Sequence, residues 1–92
     1  MSPVTCLAYH ERMRVRIGGK YWNLRYAALR KDKGDCDAPT LHNKEIRISK
    51  KLKGEEELEV VIHELLHSAD WYKDEEWVEQ TACEISHILW RL

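Results

Sequence analysis

Three residues in the second half of the chain have the types and spacing needed to bind a metal ion and activate water. His63-Glu64-Leu65-Leu66-His67 fits the pattern H-E-x-x-H. On a helix, histidines at i and i+4 lie one turn apart on the same face, so both imidazoles can bind one zinc ion. The glutamate is rotated by about 100° from the first histidine. Its carboxylate can take a proton from a zinc-bound water that attacks a carbonyl, so the pattern predicts one Zn²⁺ per chain with Glu64 as general base.

Two amphipathic helices are predicted to position this motif. From Leu58 onward, apolar residues recur at i, i+3, i+4, i+7, i+8 and i+11, which is the spacing of one helical face. Three glutamates at 55–57 precede them, where negative charge stabilises a helix N-terminus. Asp74 has the side chain of an N-cap for a second helix. We predict helices over 55–71 and 75–91, joined by a connection short enough to make them antiparallel neighbours.

The predicted helical hairpin suggests where a third zinc ligand lies. Two histidines rarely complete a catalytic zinc site, so another protein donor is needed. Reflecting the middle of the motif across a turn centred between residues 72 and 73 leads to residue 80, next to Glu79. Glu75 and Glu76 lie closer to the turn and remain alternatives. His87 is about two turns, roughly 10 Å, too far along the helix.

The first half of the chain is predicted to form a small sheet. Residues 12–17 (RMRVRI) alternate apolar side chains with arginines, as half-buried strands do. Gly18-Gly19 supplies a tight turn, and residues 20–26 form the returning strand of a hairpin. A third strand is predicted at 44–49, where lysine-rich flanks suit a sheet edge. The polar stretch 29–43 is expected to be loop.

Length and composition describe a small globular domain. The chain has 92 residues, of which 43% are hydrophobic and 34% charged, with a net charge of −1. We predict one domain over 1–92 of class α+β, in which a three-stranded antiparallel or mixed sheet packs against an antiparallel helical hairpin. Its core is marginal at this size, so a bound metal would help to stabilise it. The net charge gives no electrostatic reason to expect nucleic acid or a membrane as a partner.

The cysteines and the first residues bear on location. Cys6, Cys36 and Cys83 are an odd number with no C-x-x-C pair, which suits a reducing compartment where thiols pack as small apolar groups. Residues 1–10 lack the apolar core of a signal peptide, and no apolar run has the length to span a bilayer. The expectation is a cytoplasmic protein.

Residues 35–92 resemble small zincin-like metallopeptidases associated with phages and bacteria, and more broadly the minimal gluzincins. The resemblance rests on the segments KEIRIS (44–49), VVIHELLHSADW (60–71) and EEWVEQTACEISHILWRL (75–92). It implies a zinc-dependent metallopeptidase whose third ligand is a glutamate of the second helix, here Glu79. It also implies a peptide or protein substrate that lies antiparallel to strand 44–49, by strand addition at a free edge.

The sequence also offers candidates for residues that orient a zinc-bound histidine or stabilise an oxyanion. Several gluzincins have an acid that orients a zinc-bound histidine where this chain has Cys83, and Asp70 is a candidate substitute for it. Tyr72 and His87 are candidates to donate a hydrogen bond to a developing oxyanion.

Three functions remain open at this point. The first is a peptidase, the second a zinc-stabilised binding module without activity, and the third a latent protease whose own chain blocks the cleft. Glu64 favours an enzyme, because a purely structural zinc site needs no base and is usually closed by four ligands rich in cysteine. Substrate and oligomeric state are not indicated by the sequence.

Overall fold

Residues 12–92 are described by a computed structural model of the chain, and they form an α+β fold. The strands are β1 (Met13–Ile17), β2 (Lys20–Ala27), β3 (Gly34–Cys36) and β4 (Glu45–Ser49), and the helices are α1 (Gly54–Ala69) and α2 (Glu75–Arg91). The predicted hairpin, third strand and helices are present, with bounds that differ by one or two residues. The short strand β3 was not predicted. The prediction of one domain over 1–92 includes residues 1–11, which lie outside the described part.

The sheet has four strands in the order β1-β2-β4-β3. β2 pairs antiparallel with β1 and parallel with β4, and β4 pairs antiparallel with β3. A mixed sheet was among the predicted alternatives, but the predicted number of three strands is wrong. The predicted edge position of 44–49 is also wrong, because β4 lies between β2 and β3. The chain leaves β2, runs antiparallel as β3 one position further out, and returns as β4 in the space between them.

A two-residue turn closes the β1–β2 hairpin. Ile17 pairs with Lys20, and the two residues between them, Gly18 and Gly19, have φ angles of 61° and 78°. Positive φ at both central positions defines a type I′ turn, which matches the right-handed twist of the strands and is easily adopted by glycine. The sequence Gly-Gly therefore sets the register in which the apolar residues of β1 and β2 share one face.

The core lies on the face of the sheet that the helices cover. Trp22, Ile46 and Ile48 are at most 1% exposed. Because side chains alternate along a strand, these residues of β2 and β4 point to the same face. The partly buried residues packed against them come from every strand, the loop before α1 and α1 itself: Val15, Ile17, Leu24, Tyr26, Cys36, Leu52, Val60, Val61 and Leu65.

The helix α1 packs against both the sheet and α2. Val78, Ala82 and Ser86 are the buried residues of α2, spaced four apart on one helical face. The connection 70–74 is short, so the helices run antiparallel and the first turn of α2 lies beside the last turn of α1. In the described part of the chain, neither helix is long and apolar enough to cross a membrane.

Candidate metal centre

The two histidines of the motif lie side by side on α1. The Nε2 atoms of His63 and His67 are 3.1 Å apart, and the ring centroids are 4.8 Å apart. Their side chains are 20% and 18% exposed, so both rings lie mostly within the protein while their Nε2 atoms face a cavity. The i, i+4 spacing therefore brings two imidazole donors to one point, as the sequence predicted.

The third donor at this point is Glu75. Its carboxylate oxygens lie 3.2 Å from Nε2 of His63 and 2.8 Å from Nε2 of His67. These three side chains form a group whose ligand atoms all lie within 4.8 Å of one another, and Glu79 is not part of that group. The sequence analysis favoured Glu79 and kept Glu75 as an alternative. In this geometry the alternative, Glu75, lies beside the two histidines, and Glu79 does not.

The position of each glutamate on α2 explains why Glu75, and not Glu79, lies beside the histidines. The buried residues Val78, Ala82 and Ser86 define the face of α2 that packs on α1, with Ala82 at its centre. At 100° per residue, Glu75 lies about 20° from that centre and Glu79 about 60° away. Glu75 is also in the first turn of α2, next to the last turn of α1, where His67 lies. Glu75 is therefore nearer to the histidines than Glu79 is, both in its direction around the axis of α2 and in its position along that axis.

The donor set fits a zinc ion. Zinc binds imidazole nitrogen and carboxylate oxygen at 2.0–2.2 Å in tetrahedral sites, which corresponds to donor separations of about 3.3 Å. The two Nε2 atoms are 3.1 Å apart, and Oε2 and Oε1 of Glu75 lie 3.2 Å and 2.8 Å from those of His63 and His67, so the three side chains are close enough together to bind one ion. Three protein donors leave a fourth position open, which is typical of catalytic rather than structural zinc sites.

Glu64 lies beside this group in an apolar and acidic environment. The residue is 7% exposed. Burial, with smaller contributions from the carboxylates of Asp35, Glu75 and Asp32, raises the pKa of Glu64 to about 7. A carboxylate with a pKa near neutrality is well matched to proton transfer at physiological pH.

Two cavities meet at Glu64 and His63. The larger, of about 560 Å³, is lined by the candidate ligands and by Gly34, Cys36, Trp71 and Lys73. The smaller, of about 360 Å³, extends from Glu64 towards Glu59 and Glu79, and Gly34 also borders it. Together they form a cleft between the edge strand β3 and the helices.

Gly34 allows β3 to approach α1 closely beside Glu64. A Cβ atom at Gly34 would lie 2.9 Å from Cγ1 of Val60 and 3.1 Å from Cγ of Glu64. Both separations are shorter than ordinary carbon–carbon contacts. Only glycine fits here without displacing the strand, so this residue sets the distance between the free edge of the sheet and Glu64.

Cys36 lines the larger cavity as a neutral thiol. Burial raises the pKa of Cys36 to about 12, with smaller contributions from the Glu64, Asp37 and Asp35 carboxylates, which together outweigh the lowering effect of Arg47. The side chain packs against the core cluster. This agrees with the interpretation of Cys36 as a packing residue, whereas Cys83 is exposed on α2 and Cys6 lies outside the described residues.

Other side chains singled out by the sequence lie outside the group. Asp70 caps the end of α1 through its backbone N–H, and in the described part of the chain its side chain has no hydrogen bond to either histidine. His87 contacts Glu55 at 3.2 Å, and Tyr72 is 90% exposed. Neither lines the two cavities. Lys73 lines the larger cavity instead, and nothing in the local sequence distinguishes it from other surface lysines.

Comparisons of the chain with protein-family models, curated proteins and solved structures gave no significant match. The chemistry of the centre is therefore interpreted from its own residues.

Proposed function

We propose that the protein is a zinc-dependent metallopeptidase. The observation that supports this most strongly is the convergence of His63, His67 and Glu75 on one point beside the buried Glu64. Two imidazoles and one carboxylate would hold Zn²⁺ with a position left open, and the adjacent buried carboxylate of Glu64 can serve as the base for the hydrolysis of an amide. A structural zinc site would not need a base in this position.

The proposed division of roles follows from the positions of the side chains. When bound, zinc supplies Lewis acidity at the point where the three donors meet. Glu64 accepts the proton of the attacking water and later donates it to the leaving amine. Lys73 lines the same cavity, with its ammonium 4.7 Å from the centroid of the Trp77 ring, and can stabilise the negative charge that develops on the carbonyl oxygen. Trp71 supplies an apolar wall that limits access of bulk water.

The substrate is proposed to dock along β3. The sequence analysis placed the substrate on strand 44–49, but β4 has a neighbour on each side and no free edge. β3 has one free edge, and both cavities are bordered by its first residue, Gly34. An extended peptide added to this edge would form backbone hydrogen bonds and lie beside Glu64.

Hydrolysis of fluorescein-labelled casein and of a mixed peptide library by the zinc-supplemented full chain tests the proposal. Glu64→Gln removes the base without a change in size, so we expect cleavage to fall at least 100-fold while zinc remains bound. Glu84→Gln is the matched control, because Glu84 is exposed on α2 and contacts only Gln80 in the described part of the chain. It should leave cleavage unchanged.

The outcomes separate the remaining alternatives. Cleavage by wild type that survives Glu64→Gln would contradict the proposed mechanism. A wild type that binds zinc but cleaves none of the substrates would favour the zinc-stabilised binding module or the latent protease. Limited proteolysis or truncation that then released activity would identify the latent form.

A further inference from the structure

The charges of the chain are separated between its two halves. Residues 12–53, which contain the four strands, have 13 Lys and Arg against 4 Asp and Glu, a net charge of +9. Residues 54–92, which contain the two helices, have 2 Lys and Arg against 11 Asp and Glu, a net charge of −9. The net charge of −1 for the whole chain therefore conceals a strongly basic sheet beside strongly acidic helices, and the expectation that nucleic acid is excluded loses its basis.

Part of this positive charge lies on the sheet face turned away from the helices. Val15 and Ile17 of β1 and Trp22 of β2 pack in the core. Because side chains alternate along a strand, Arg14, Arg16 and Tyr21 point to the opposite face. Within residues 12–92, α1 packs on the core side of the sheet and α2 packs on α1, and no helix or strand covers this outer face.

On this face, the arginines of β2 and β4 form ion pairs with carboxylates, whereas those of β1 do not. Arg47 on β4 pairs with Asp35, Asp37 and Glu45, and Arg25 pairs with Glu45. Arg14 and Arg16 on β1 are exposed, and no carboxylate of the described residues forms an ion pair with them. Arg12 continues the same alternation. The available charge is thus concentrated along β1.

An exposed aromatic ring lies among these arginines. Tyr21 is 53% exposed, and the guanidinium of Arg14 lies 4.1 Å from its ring centroid, with that of Arg16 at 5.8 Å. Beside it is a groove of about 440 Å³, lined by Arg14, Tyr21, Trp22, Asn23 and Asn43. Guanidinium and phenol groups provide surfaces on which bases stack, and the amides of asparagine can donate to and accept from base edges.

We propose that the outer face of β1 and β2 binds single-stranded nucleic acid. Arginines at alternate positions of β1 lie about 6.6 Å apart along the strand, and they would contact successive parts of a phosphate backbone. Tyr21 would stack on a base, with Asn23 and Asn43 at its edge. An anionic membrane would use the arginines alone and would place no demand on the ring of Tyr21. The metal centre lies on the other side of the sheet, so this surface is independent of the proposed peptidase activity.

Fluorescence anisotropy with a labelled 20-nucleotide single-stranded DNA of mixed sequence tests the proposal on the full chain. We expect binding in 50 mM salt that weakens steeply as salt rises. Arg14→Gln with Arg16→Gln should weaken binding at least 10-fold and lower the slope of log K against log salt by about 1.4, which corresponds to two lost phosphate contacts. The matched control, Lys51→Gln with Lys53→Gln, removes the same charge from the loop before α1 and should change binding less than 2-fold.

A second variant distinguishes nucleic acid from other anions. Tyr21→Leu should weaken DNA binding about 10-fold, since stacking of one base is lost. The same variant should leave binding to vesicles with 30% phosphatidylserine unchanged. The proposal is overturned if wild type does not bind DNA at 50 mM salt, if both double variants weaken binding equally, or if Tyr21→Leu has no effect. Circular dichroism of each variant verifies that it is folded.

Discussion

Among residues 12–92, Arg47 forms more ion pairs than any other side chain outside the candidate metal centre. Its guanidinium donates to Asp35 at 2.6 Å, to Glu45 at 2.7 Å and to Asp37 at 2.5 Å. The side chains of Arg47, Asp37 and Glu45 are all less than a quarter exposed. Partial burial is the largest single effect on the pKa of Asp37 and Glu45 and works to raise it. The hydrogen bonds from Arg47 act together with the backbone N–H of Glu45 at Asp37 and with Arg25 at Glu45, and jointly they hold both pKa values below their usual range.

This network should make the stability of the fold depend on pH. The folded-state pKa values lie below the unfolded ones, about 3.9 for Asp and 4.3 for Glu, so the stabilisation is fully present above pH 5 and is lost as pH falls through the folded values. Arg47→Met should lower the free energy of unfolding by on the order of 2 kcal/mol at pH 7 and by much less at pH 2.5. Urea unfolding in chelator at both pH values measures this.

Lys33→Met is the control for that measurement. Lys33 forms an ion pair with Glu56 in which both side chains are at least half exposed, so its removal should change stability little at either pH. A loss on Arg47→Met that is equal at pH 7 and pH 2.5 would show that Arg47 stabilises by packing and not through its carboxylate partners.

The residues of the metal centre were predictable to different degrees. His63, Glu64 and His67 follow from the fixed geometry of a helix, because i and i+4 share a face in any α-helix. Glu75 depends on how α2 is rotated against α1, which is set by burial of Val78, Ala82 and Ser86. The sequence places Glu75, Glu76 and Glu79 on that helix but does not fix its rotation. The role of Lys73 depends on the same packing.

The sheet shows the same contrast between local and long-range information. The β1–β2 hairpin was predictable, since Gly18-Gly19 and the alternating pattern are both local signals. β3 has only three residues, Gly-Asp-Cys, with no alternation of its own, and it forms because β4 pairs with it. The parallel pairing of β2 with β4 joins segments separated by 17 residues, for which no local pattern exists.

The element that controls the cleft is β3, and Gly34 is the residue to change. Gly34→Ala would place a Cβ within 3.1 Å of both Val60 and Glu64, so the strand must shift away from α1. We expect a loss of about 1–3 kcal/mol in the free energy of unfolding, as for other overpacked sites. Peptide hydrolysis should fall more than the lost stability accounts for, because the free edge moves away from Glu64.

A double-mutant cycle provides the control for Gly34→Ala. Val60→Ala removes the nearest atom, Cγ1 at 2.9 Å. Combined with Gly34→Ala, it should cost less than the sum of the two single changes. Strict additivity would show that the contact with Val60 is not the origin of the cost, which would then arise from the contacts of the new Cβ with Glu64 and with the backbone oxygen of Arg47, each at 3.1 Å.

At the scale of the whole molecule, the hydrophobic core is small relative to the size of the protein. Six apolar residues are less than 10% exposed in the described part: Trp22, Ala27, Ile46, Ile48, Val78 and Ala82. The indole N–H of the buried Trp22 has no acceptor among the described residues, which works against stability. Three large apolar side chains at the C-terminal end of α2 and directly after it, Ile88, Trp90 and Leu92, are more than half exposed. A ligand that joins the two helices would therefore raise the free energy of unfolding of this fold.

Zinc should therefore stabilise the fold measurably. His63 and His67 are on α1 and Glu75 is on α2, so a metal bound by all three would link the helices. At 100 times its Kd, zinc would contribute about 2.7 kcal/mol, or on the order of 10 °C in Tm for a domain of this size. The contribution should disappear at acidic pH, since protons compete with the metal for the imidazoles. Thermal unfolding with zinc and with chelator, each at pH 7.5 and at pH 5, measures both effects. A Tm at pH 7.5 that is the same with zinc as with chelator would exclude a stabilising metal.

The most direct test of the account is the zinc content of three purified proteins: wild type, Glu75→Ala and Glu79→Ala. The two variants remove the same side chain from positions one turn apart on α2, so each controls for the other. We expect about one zinc per chain in wild type and in Glu79→Ala, and at least 10-fold weaker binding in Glu75→Ala. Zinc kept by Glu75→Ala and lost by Glu79→Ala would restore the ligand expected from sequence and contradict the geometry described above. No zinc in wild type, even after it is added, would contradict the metal centre itself.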